Sequence, residues 1–256
     1  MFLVNGSEVN ITIFPDKTSQ VWHQDMDKFN LDDGYDVTIE WRFESEAEVI
    51  QLVQLVDFVK SFYPNFLHLY MPYLPYGRQD KKISNDTTFA LQSFAKVLNI
   101  LEFDQVTTLD AHNPLACEFL IKNFKNIIPR LEIAHRAKEN DIICFPDKGA
   151  KNRYGTILSF TDKLYVTCDK KRDEATGKIL SIEIENCHNY IKDSKILIVD
   201  DLCDGGGTFI ETAKKLKELG AKSVSLYTTH GIYSKGTDFL FVNGIDKIYN
   251  HKGEIK

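Results

Sequence analysis

The sequence lacks the features that mark membrane, secreted or nucleic-acid-binding proteins. No apolar run approaches the roughly 20 residues that a membrane-spanning helix needs, so we expect no membrane partner. The first ten residues show no basic region followed by a long apolar run, so we expect no signal peptide. The net charge of −6 argues against a general nucleic-acid binder, although a small anionic substrate can still bind at a local basic site.

Cysteine is scarce, and its spacing shows no recognisable pattern. The five cysteines include no C-x-x-C pair, and their number is odd. Internal repeats and low-complexity segments are also absent. We therefore expect reduced thiols in a cytoplasmic protein rather than a framework of disulfides.

What the sequence does contain is an alternation of short apolar runs and helical patterns. Hydrophobic residues make up 43% of its 256 residues, which suits one large or two modest globular domains. Apolar runs predict buried strands at 66–71, 106–109, 142–145, 196–199 and 223–229. Helical spacing predicts helices at 87–100 and 208–219. This order predicts right-handed parallel units and an α/β fold, with a boundary near Pro129 that separates domains 1–128 and 129–256.

Two local signals refine this prediction. Ser45 and Glu48 have the spacing of a capping box, with the apolar positions of a helix following them. Strand-like runs at 164–168 and 179–185 flank a charged segment. We therefore expect that segment to be a loop between two strands.

The most informative stretch is I-L-I-V-D-D-L-C-D-G-G-G-T, from Ile196 to Thr208. A buried strand runs into two adjacent acids, and a glycine-rich turn then opens a helix. Glycines let backbone N–H groups crowd around an anion, and a helix N-terminus adds partial positive charge. The paired carboxylates of Asp200 and Asp201 can accept hydrogen bonds from the vicinal hydroxyls of a sugar. The pattern therefore indicates a site for a sugar phosphate, more than an acidic turn with a flexible glycine loop.

This stretch resembles the ribose-phosphate-binding signature of phosphoribosyltransferases and ribose-phosphate pyrophosphokinases, which is close to D-D-x-x-D-T-G-G-T. Gly205 stands where that pattern has Thr, which removes one phosphate contact. The resemblance implies two phosphoribosyltransferase-like domains, each with a mainly parallel sheet flanked by helices. It also implies a set of ribose-phosphate-binding residues: Asp200, Asp201, Asp204, Gly205, Gly206, Gly207 and Thr208.

Two further segments favour the pyrophosphokinase branch. P-Y-L-P-Y-G-R-Q-D, residues 72–80, is similar to that family's P-Y-x-x-Y-A-R-Q-D, which implies that Arg78 and Gln79 bind ATP. The guanidinium fork of an arginine suits phosphate oxygens. D-A-H, residues 110–112, resembles the family's D-L-H, which implies that His112 helps to hold Mg–ATP.

Two segments of the second half also resemble the pyrophosphokinases. F-P-D-K-G-A-K-N-R, residues 145–153, is similar to P-D-x-G-x-x-x-R, which implies that Asp147 is a ligand of Mg²⁺. D-K-K-R, residues 169–172, resembles the D-K-R-R that opens the family's mobile catalytic loop, which implies that Lys170 and Arg172 stabilise transition-state charge. The D-E-A-T-G-K that follows departs from the family's continuation, and a solvated hairpin tip is the alternative interpretation.

A weaker resemblance lies near the N-terminus. F-P-D-K-T, residues 14–18, looks like the family's F-x-D-G-E, with Lys17 and Thr18 departing from it. The resemblance implies that Phe14 and Asp16 meet adenine, usually across a subunit interface. We therefore expect a homo-oligomer, either a dimer or a hexamer. T-H-G, residues 229–231, also matches the family's pattern after the last strand.

Together these segments imply Mg²⁺-dependent transfer of a diphosphate from ATP to the anomeric hydroxyl of ribose 5-phosphate. Three alternatives stay open. The altered catalytic loop and Gly205 can open the 5′ end of the sugar site to a larger ester such as ADP-ribose. The chain can also be an inactive regulatory relative, although it keeps the charged motif residues. A phosphoribosyltransferase is the third alternative, but it would not need R-Q-D or D-A-H.

Overall fold

The computed structural model describes residues 1–22, 35–172, 179–185 and 188–255, and the side chains of 170–172, 179–181, 188 and 189 lie outside this description. The chain divides into two compact units, Met1–Ile128 (unit 1) and Pro129–Lys256 (unit 2). Each unit has one mainly parallel sheet flanked by helices, so the α/β prediction is confirmed. No helix in the described ranges combines the length and apolar character needed to cross a membrane.

Unit 1 is built on a six-stranded sheet with the order β2-β1-β5-β6-β7-β8. Its elements are β1 (Phe2–Val4), β2 (Ser7–Glu8), β3 (Ile11–Ile13), β4 (Ser19–Val21), β5 (Asp36–Trp41), α1 (Glu48–Lys60), β6 (Phe66–Met71), α2 (Ala90–Ile100), β7 (Gln105–Leu109), α3 (Pro114–Leu120) and β8 (Phe124–Ile127). Strands β5 to β8 are parallel and follow chain order. Because right-handed crossovers in one direction place helices on the same face, α1, α2 and α3 cover a single face of this sheet. The strands β3 and β4 form a separate hairpin.

Unit 2 is built on a seven-stranded sheet with the order β11-β10-β9-β12-β13-β14-β15. Its elements are α4 (Arg130–Lys138), β9 (Ile142–Phe145), α5 (Lys148–Tyr154), α6 (Leu158–Thr161), β10 (Leu164–Arg172), β11 (Ile179–Glu185), α7 (His188–Ile191), β12 (Lys195–Cys203), α8 (Gly207–Glu218), β13 (Ser223–Gly231), α9 (Thr237–Val242), β14 (Lys247–Asn250) and β15 (Gly253–Ile255). The five central strands are parallel, and the two edge strands are antiparallel. From β9 the chain moves to β10 on one side, whereas from β12 it moves to β13 on the other. The carboxyl ends of β9 and β12 therefore form a topological switch point, where open α/β sheets bind ligands.

The predicted capping box at Ser45 and Glu48 is wrong. Helix α1 begins at Glu48 itself and has no side-chain cap at its N-terminus. The buried Glu48 carboxylate instead accepts hydrogen bonds from the Trp41 indole at 2.9 Å and from the N-terminal ammonium. The Glu48 carboxylate therefore binds partners that are distant in sequence or at the N-terminus, and does not cap the helix as its spacing from Ser45 predicted.

Several predicted boundaries also move. Helix α2 begins three residues later than expected, at Ala90. Strands β10 and β12 continue to Arg172 and Cys203, beyond the predicted ends of their apolar runs. Both extensions are paired with neighbouring strands, β10 with β11 and β12 with β13. Ladder hydrogen bonds therefore override the low strand propensity of the charged residues.

The described cysteines are buried thiols. Cys117, Cys144, Cys168 and Cys203 are all inaccessible to solvent. Burial raises the pKa of Cys117 and of Cys203 to about 12. These two therefore stay protonated at neutral pH, which makes them poor nucleophiles. Cys187 lies outside the described residues.

Candidate functional site

The glycine-rich turn joins the carboxyl end of β12 to the N-terminus of α8. Gly206 is the N-cap of α8 and has a φ of 75°, in the left-handed region that favours glycine. A Cβ at this position would lie 2.3 Å from Cδ2 of Leu240. Both backbone conformation and close approach therefore require glycine here. The turn from Asp204 to Thr208 presents the backbone N–H groups of the helix end, which suit an anion.

The paired acids lie near the carboxyl end of β12, and a buried arginine holds them. Nη1 of Arg153 is 2.8 Å from Oδ1 of Asp201 and 3.9 Å from Oδ1 of Asp200. The Arg153 side chain is only 11% exposed, and it comes from α5, which follows β9. The Arg153–Asp201 ion pair thus connects the two sides of the switch point. The resemblance assigned no role to Arg153, although the arginine of P-D-x-G-x-x-x-R was the signal that could have identified it.

It is electrostatically unfavourable for Asp200 to carry a negative charge beside Asp201. Burial raises the pKa of Asp200 well above its usual value, and the carboxylates of Asp201 and Asp147 raise it further. Three acids from the ends of β9 and β12 therefore concentrate negative potential at one place. A cation bound there would relieve this repulsion.

Asp147 has a structural role in addition to its predicted role as a ligand of Mg²⁺. It is the N-cap of α5, and its Oδ1 accepts a hydrogen bond from the Ala150 amide at 2.8 Å. No group of three or more His, Cys, Asp or Glu side chains in the described part of the chain is arranged to hold a metal ion. Mg²⁺ is commonly held by one or two carboxylates together with substrate phosphates, so the donors and the negative potential around Asp147 fit this ion.

Replacing Asp200 with Asn is expected to stabilise the protein by about 1 kcal/mol at neutral pH while lowering activity, a trade-off typical of functional sites. The raised pKa means that the folded state holds a proton more tightly than the unfolded state, so stability falls as pH rises through the folded pKa. The gain should therefore be present at about pH 8 and shrink toward about pH 4. Urea unfolding in EDTA measures it, with Asp193→Asn, an exposed acid near the start of β12, as the control. A gain that does not depend on pH would contradict the electrostatic explanation.

In unit 1, the R-Q-D and D-A-H segments follow the adjacent parallel strands β6 and β7 and are linked to each other. Nδ2 of Asn113 donates to Oδ2 of Asp80 at 2.6 Å. Oδ1 of Asn113 caps α3 by accepting from the Ala116 amide. Asn113 therefore holds the two loops at one edge of the sheet, and sequence reasoning missed it. Arg78, Gln79 and His112 are exposed on these loops.

The aromatic and acidic residues near the N-terminus lie at the tip of the β3–β4 hairpin. Phe14 is 41% exposed, and Asp16 follows it in the turn. The Thr18 hydroxyl lowers the pKa of Asp16 by donating to its carboxylate at 2.7 Å. Asp16 therefore shapes the turn, and the exposed ring of Phe14 is presented to solvent within this chain.

The predicted catalytic cations do not begin a loop. The backbone at Lys170 and Arg172 belongs to β10, with Lys170 opposite Ile182 and Arg172 opposite Ile179 on β11. The register of this ladder shifts between Lys171 and Arg172. Their side chains lie outside the described part of the structure, as do residues 173–178. The expectation of a loop starting at Asp169 is therefore wrong for the backbone, while the proposed role of the two cations stays a prediction.

Comparison with known proteins agrees with this arrangement. Residues 134–251 match the family described as the phosphoribosyl transferase domain. The chain is 30% identical over 203 residues to the ribose-phosphate pyrophosphokinase of Pyrococcus furiosus, covering 78% of this chain and 71% of that protein. It is 26% identical over 209 residues to the ribose-phosphate pyrophosphokinase of Thermococcus kodakarensis, covering 80% and 73%.

A solved structure shares the fold. The crystal structure of phosphoribosylpyrophosphate synthetase from Mycobacterium smegmatis aligns with a TM-score of 0.77 and 18% sequence identity, covering 95% of this chain and 80% of that one. The sequence relatives and the switch-point site in unit 2 lead to the same assignment. This chain belongs to the ribose-phosphate pyrophosphokinase family.

Proposed function

We propose that the protein transfers a diphosphate group from Mg–ATP to the anomeric hydroxyl of ribose 5-phosphate, giving 5-phosphoribosyl 1-diphosphate and AMP. The observation that carries this proposal is the switch point of unit 2. There the Asp204–Thr208 turn, the Asp200–Asp201 pair held by Arg153, and Asp147 all lie at the carboxyl ends of β9 and β12. The turn suits the phosphate of the acceptor, and the acid pair suits its ribose hydroxyls.

The chemistry requires positioning and charge neutralisation rather than a covalent intermediate. The bond between the anomeric oxygen and the β-phosphorus forms, the bond between that phosphorus and the α-phosphate oxygen breaks, and the hydroxyl proton leaves to solvent. AMP departs with the bond electrons. In this proposal Asp200 and Asp201 orient the ribose by accepting hydrogen bonds from its hydroxyls, and Arg153 keeps Asp201 in place.

The ATP side of the proposal rests on unit 1. Arg78 and Gln79 bind the nucleotide and its phosphates, and His112 helps to hold the metal–nucleotide complex. The hydrogen bond between Asn113 and Asp80 supports this assignment because it brings the two loops together. When bound, Mg²⁺ neutralises phosphate charge. We propose that the carboxylate of Asp147 is a protein ligand of Mg²⁺.

A second acceptor is favoured by one observation. Gly205 has no side chain, and a Cβ placed there would meet no atom closer than 3.7 Å. Compared with the Thr that the family pattern places there, Gly205 therefore frees the volume of one side chain, and Lys235 and Ser234 border that volume. An ester larger than a phosphate at the 5′ oxygen, such as ADP-ribose, fits that difference, and the product would then be ADP-ribose 1-diphosphate.

Incubation with Mg–ATP and each acceptor tests the proposal. The mass of the product and the release of AMP should identify one acceptor, with ribose as the control that lacks a phosphate ester. If neither ester causes AMP to be released, the result would favour the inactive regulatory relative. Product formation that requires a free nucleobase would favour a phosphoribosyltransferase.

Lys170→Ala and Arg172→Ala are each expected to lower kcat by about 10²-fold, with a smaller effect on the apparent affinity for ATP. The reason is that negative charge builds on the transferring and leaving groups only as the bond breaks. Lys163→Ala, a half-buried lysine just before β10, is the matched control. Steady-state kinetics measure both variants. If each has the kcat of the wild type, the two residues have no catalytic role and a solvated hairpin tip is the correct interpretation.

We also propose that the active form is at least a dimer. An exposed aromatic ring at a hairpin tip, as Phe14 presents, suits an adenine site completed by a second copy of the chain. Light scattering at the concentration of the activity assay should therefore report an oligomer, and Phe14→Ser should raise the KM for ATP. A fully active monomer would rule out this arrangement.

A further inference from the structure

The phosphate turn in unit 2 has no cation of its own. Its sequence from Asp204 to Thr208 is D-G-G-G-T, and the first lysine of α8 is Lys214, near the other end of that helix. Asp200 and Asp201 precede the turn directly and bring more negative charge. Arg153 already pairs with Asp201, so a further positive group from another element is what would favour a phosphate ester at the turn itself.

The segment that follows β13 supplies such a group. Residues 232–236 (the 232–236 loop) are attached to the end of β12, because the Cys203 carbonyl accepts from the amides of Ile232 at 2.8 Å and Tyr233 at 3.2 Å. The Gly236 amide closes the loop by donating to the Tyr233 carbonyl at 2.7 Å. The 232–236 loop is thereby fixed to the residue just before the phosphate turn.

Lys235 lies across the place where Gly205 lacks a side chain. Its Cε would be 3.7 Å and its Cδ 3.9 Å from a Cβ at Gly205, and Oγ of Ser234 would be 3.7 Å from the same point. Nζ of Lys235 lies 5.0 Å from the ring centroid of Phe239. The stem of the lysine therefore borders, at van der Waals distance, the space that a Thr at position 205 would use, and its ammonium lies one bond beyond Cε.

We propose that Lys235, together with the Ser234 hydroxyl, binds the phosphate ester of the acceptor and determines how well that acceptor is held. This inference rests on the proposed function, since it names a contact of the same acceptor. In this arrangement a charged side chain replaces the single hydroxyl that Gly205 lacks. A lysine on a flexible stem can follow either a phosphate monoester or the first phosphate of a larger ester.

Kinetics of Lys235→Met with ribose 5-phosphate and with ADP-ribose test this contact. We expect the KM for the acceptor that is used to rise by about 10-fold or more, with kcat and the KM for ATP nearly unchanged, because a charged hydrogen bond is lost in both ground and transition states. Lys235→Arg should restore most of the affinity. Lys222→Met, an exposed lysine just before β13 at the opposite end of that strand, should behave as wild type. A KM within about twofold of wild type in Lys235→Met would overturn the proposal.

Direct binding separates a failure of this inference from a failure of the proposed function. If wild type turns over neither ester, calorimetry with ribose 5-phosphate and ADP-ribose still measures the contact. Binding that weakens in Lys235→Met would then keep the inference and reject the reaction. No binding to wild type, or equal binding to both proteins, would reject the inference as well.

Discussion

Asp147→Asn is expected to lower kcat by about 10³-fold while the protein stays within about 1 kcal/mol of wild-type stability. The two effects separate because Asp147 does two things. Its Oδ1 caps α5 by accepting from the Ala150 amide, and Asn is as good an N-cap as Asp. Only the negative charge is lost, and that charge is what we propose for the metal.

Asp147→Ala is the matched comparison. It removes the cap as well as the charge, so it should cost about 1 kcal/mol of stability in addition to the activity. AMP release across a Mg²⁺ titration and thermal unfolding of both variants provide the two measurements. Near-normal turnover of Asp147→Asn at low Mg²⁺ would exclude Asp147 from the metal site and leave it as a helix cap.

Arg153→Met is expected to destabilise unit 2 by about 3–5 kcal/mol and to raise the KM for the acceptor. Arg153 lies in a buried position 2.8 Å from Asp201, and its charge offsets that of the acids. Burial lowers the pKa of Arg153, but the Asp201 carboxylate and the Tyr154 hydroxyl together raise it by more, so the cation is strongly favoured there. Its removal leaves Asp201 charged, buried and without this partner.

The double variant Arg153→Met, Asp201→Asn tests this explanation. If the cost comes from an uncompensated buried charge, removing the second charge should recover much of the lost stability. Hydrogen exchange of the β12 amides measures the stability of unit 2 directly. Chemical denaturation alone would not show which of the two units has lost stability. A double variant as unstable as Arg153→Met would show that packing, not charge, is what Arg153 provides.

Much of the central architecture was predictable from local patterns. The apolar runs at 66–71 and 142–145 and the strand-like run at 179–185 match β6, β9 and β11 to the residue. The glycine-rich turn before α8 was also placed correctly, with α8 beginning at Gly207. Such signals succeed because a run of buried residues and a turn that requires glycine are each contained within a few consecutive positions.

Predictions failed where distant partners set the structure. Asp200 and Asp201 were expected to follow the strand, but they belong to β12, in which Asp200 pairs with Thr228 on β13. The short strand β1 was missed because three residues carry little pattern, and pairing with β5 is what orders them. Lys170 and Arg172 were placed in a loop because charged residues disfavour strands, and pairing with β11 overrides that preference.

The sequence by itself determined the α/β class, the position of the glycine-rich turn before α8 and the family, because each depends on residue types at fixed spacing along the chain. The tertiary structure alone decided that Arg153 holds Asp201, that Asn113 connects the two loops of unit 1, and that Lys235 lies beside Gly205. These contacts join residues that are far apart in sequence. They depend on the order of strands in each sheet, and that order is set by long-range packing that no local pattern records.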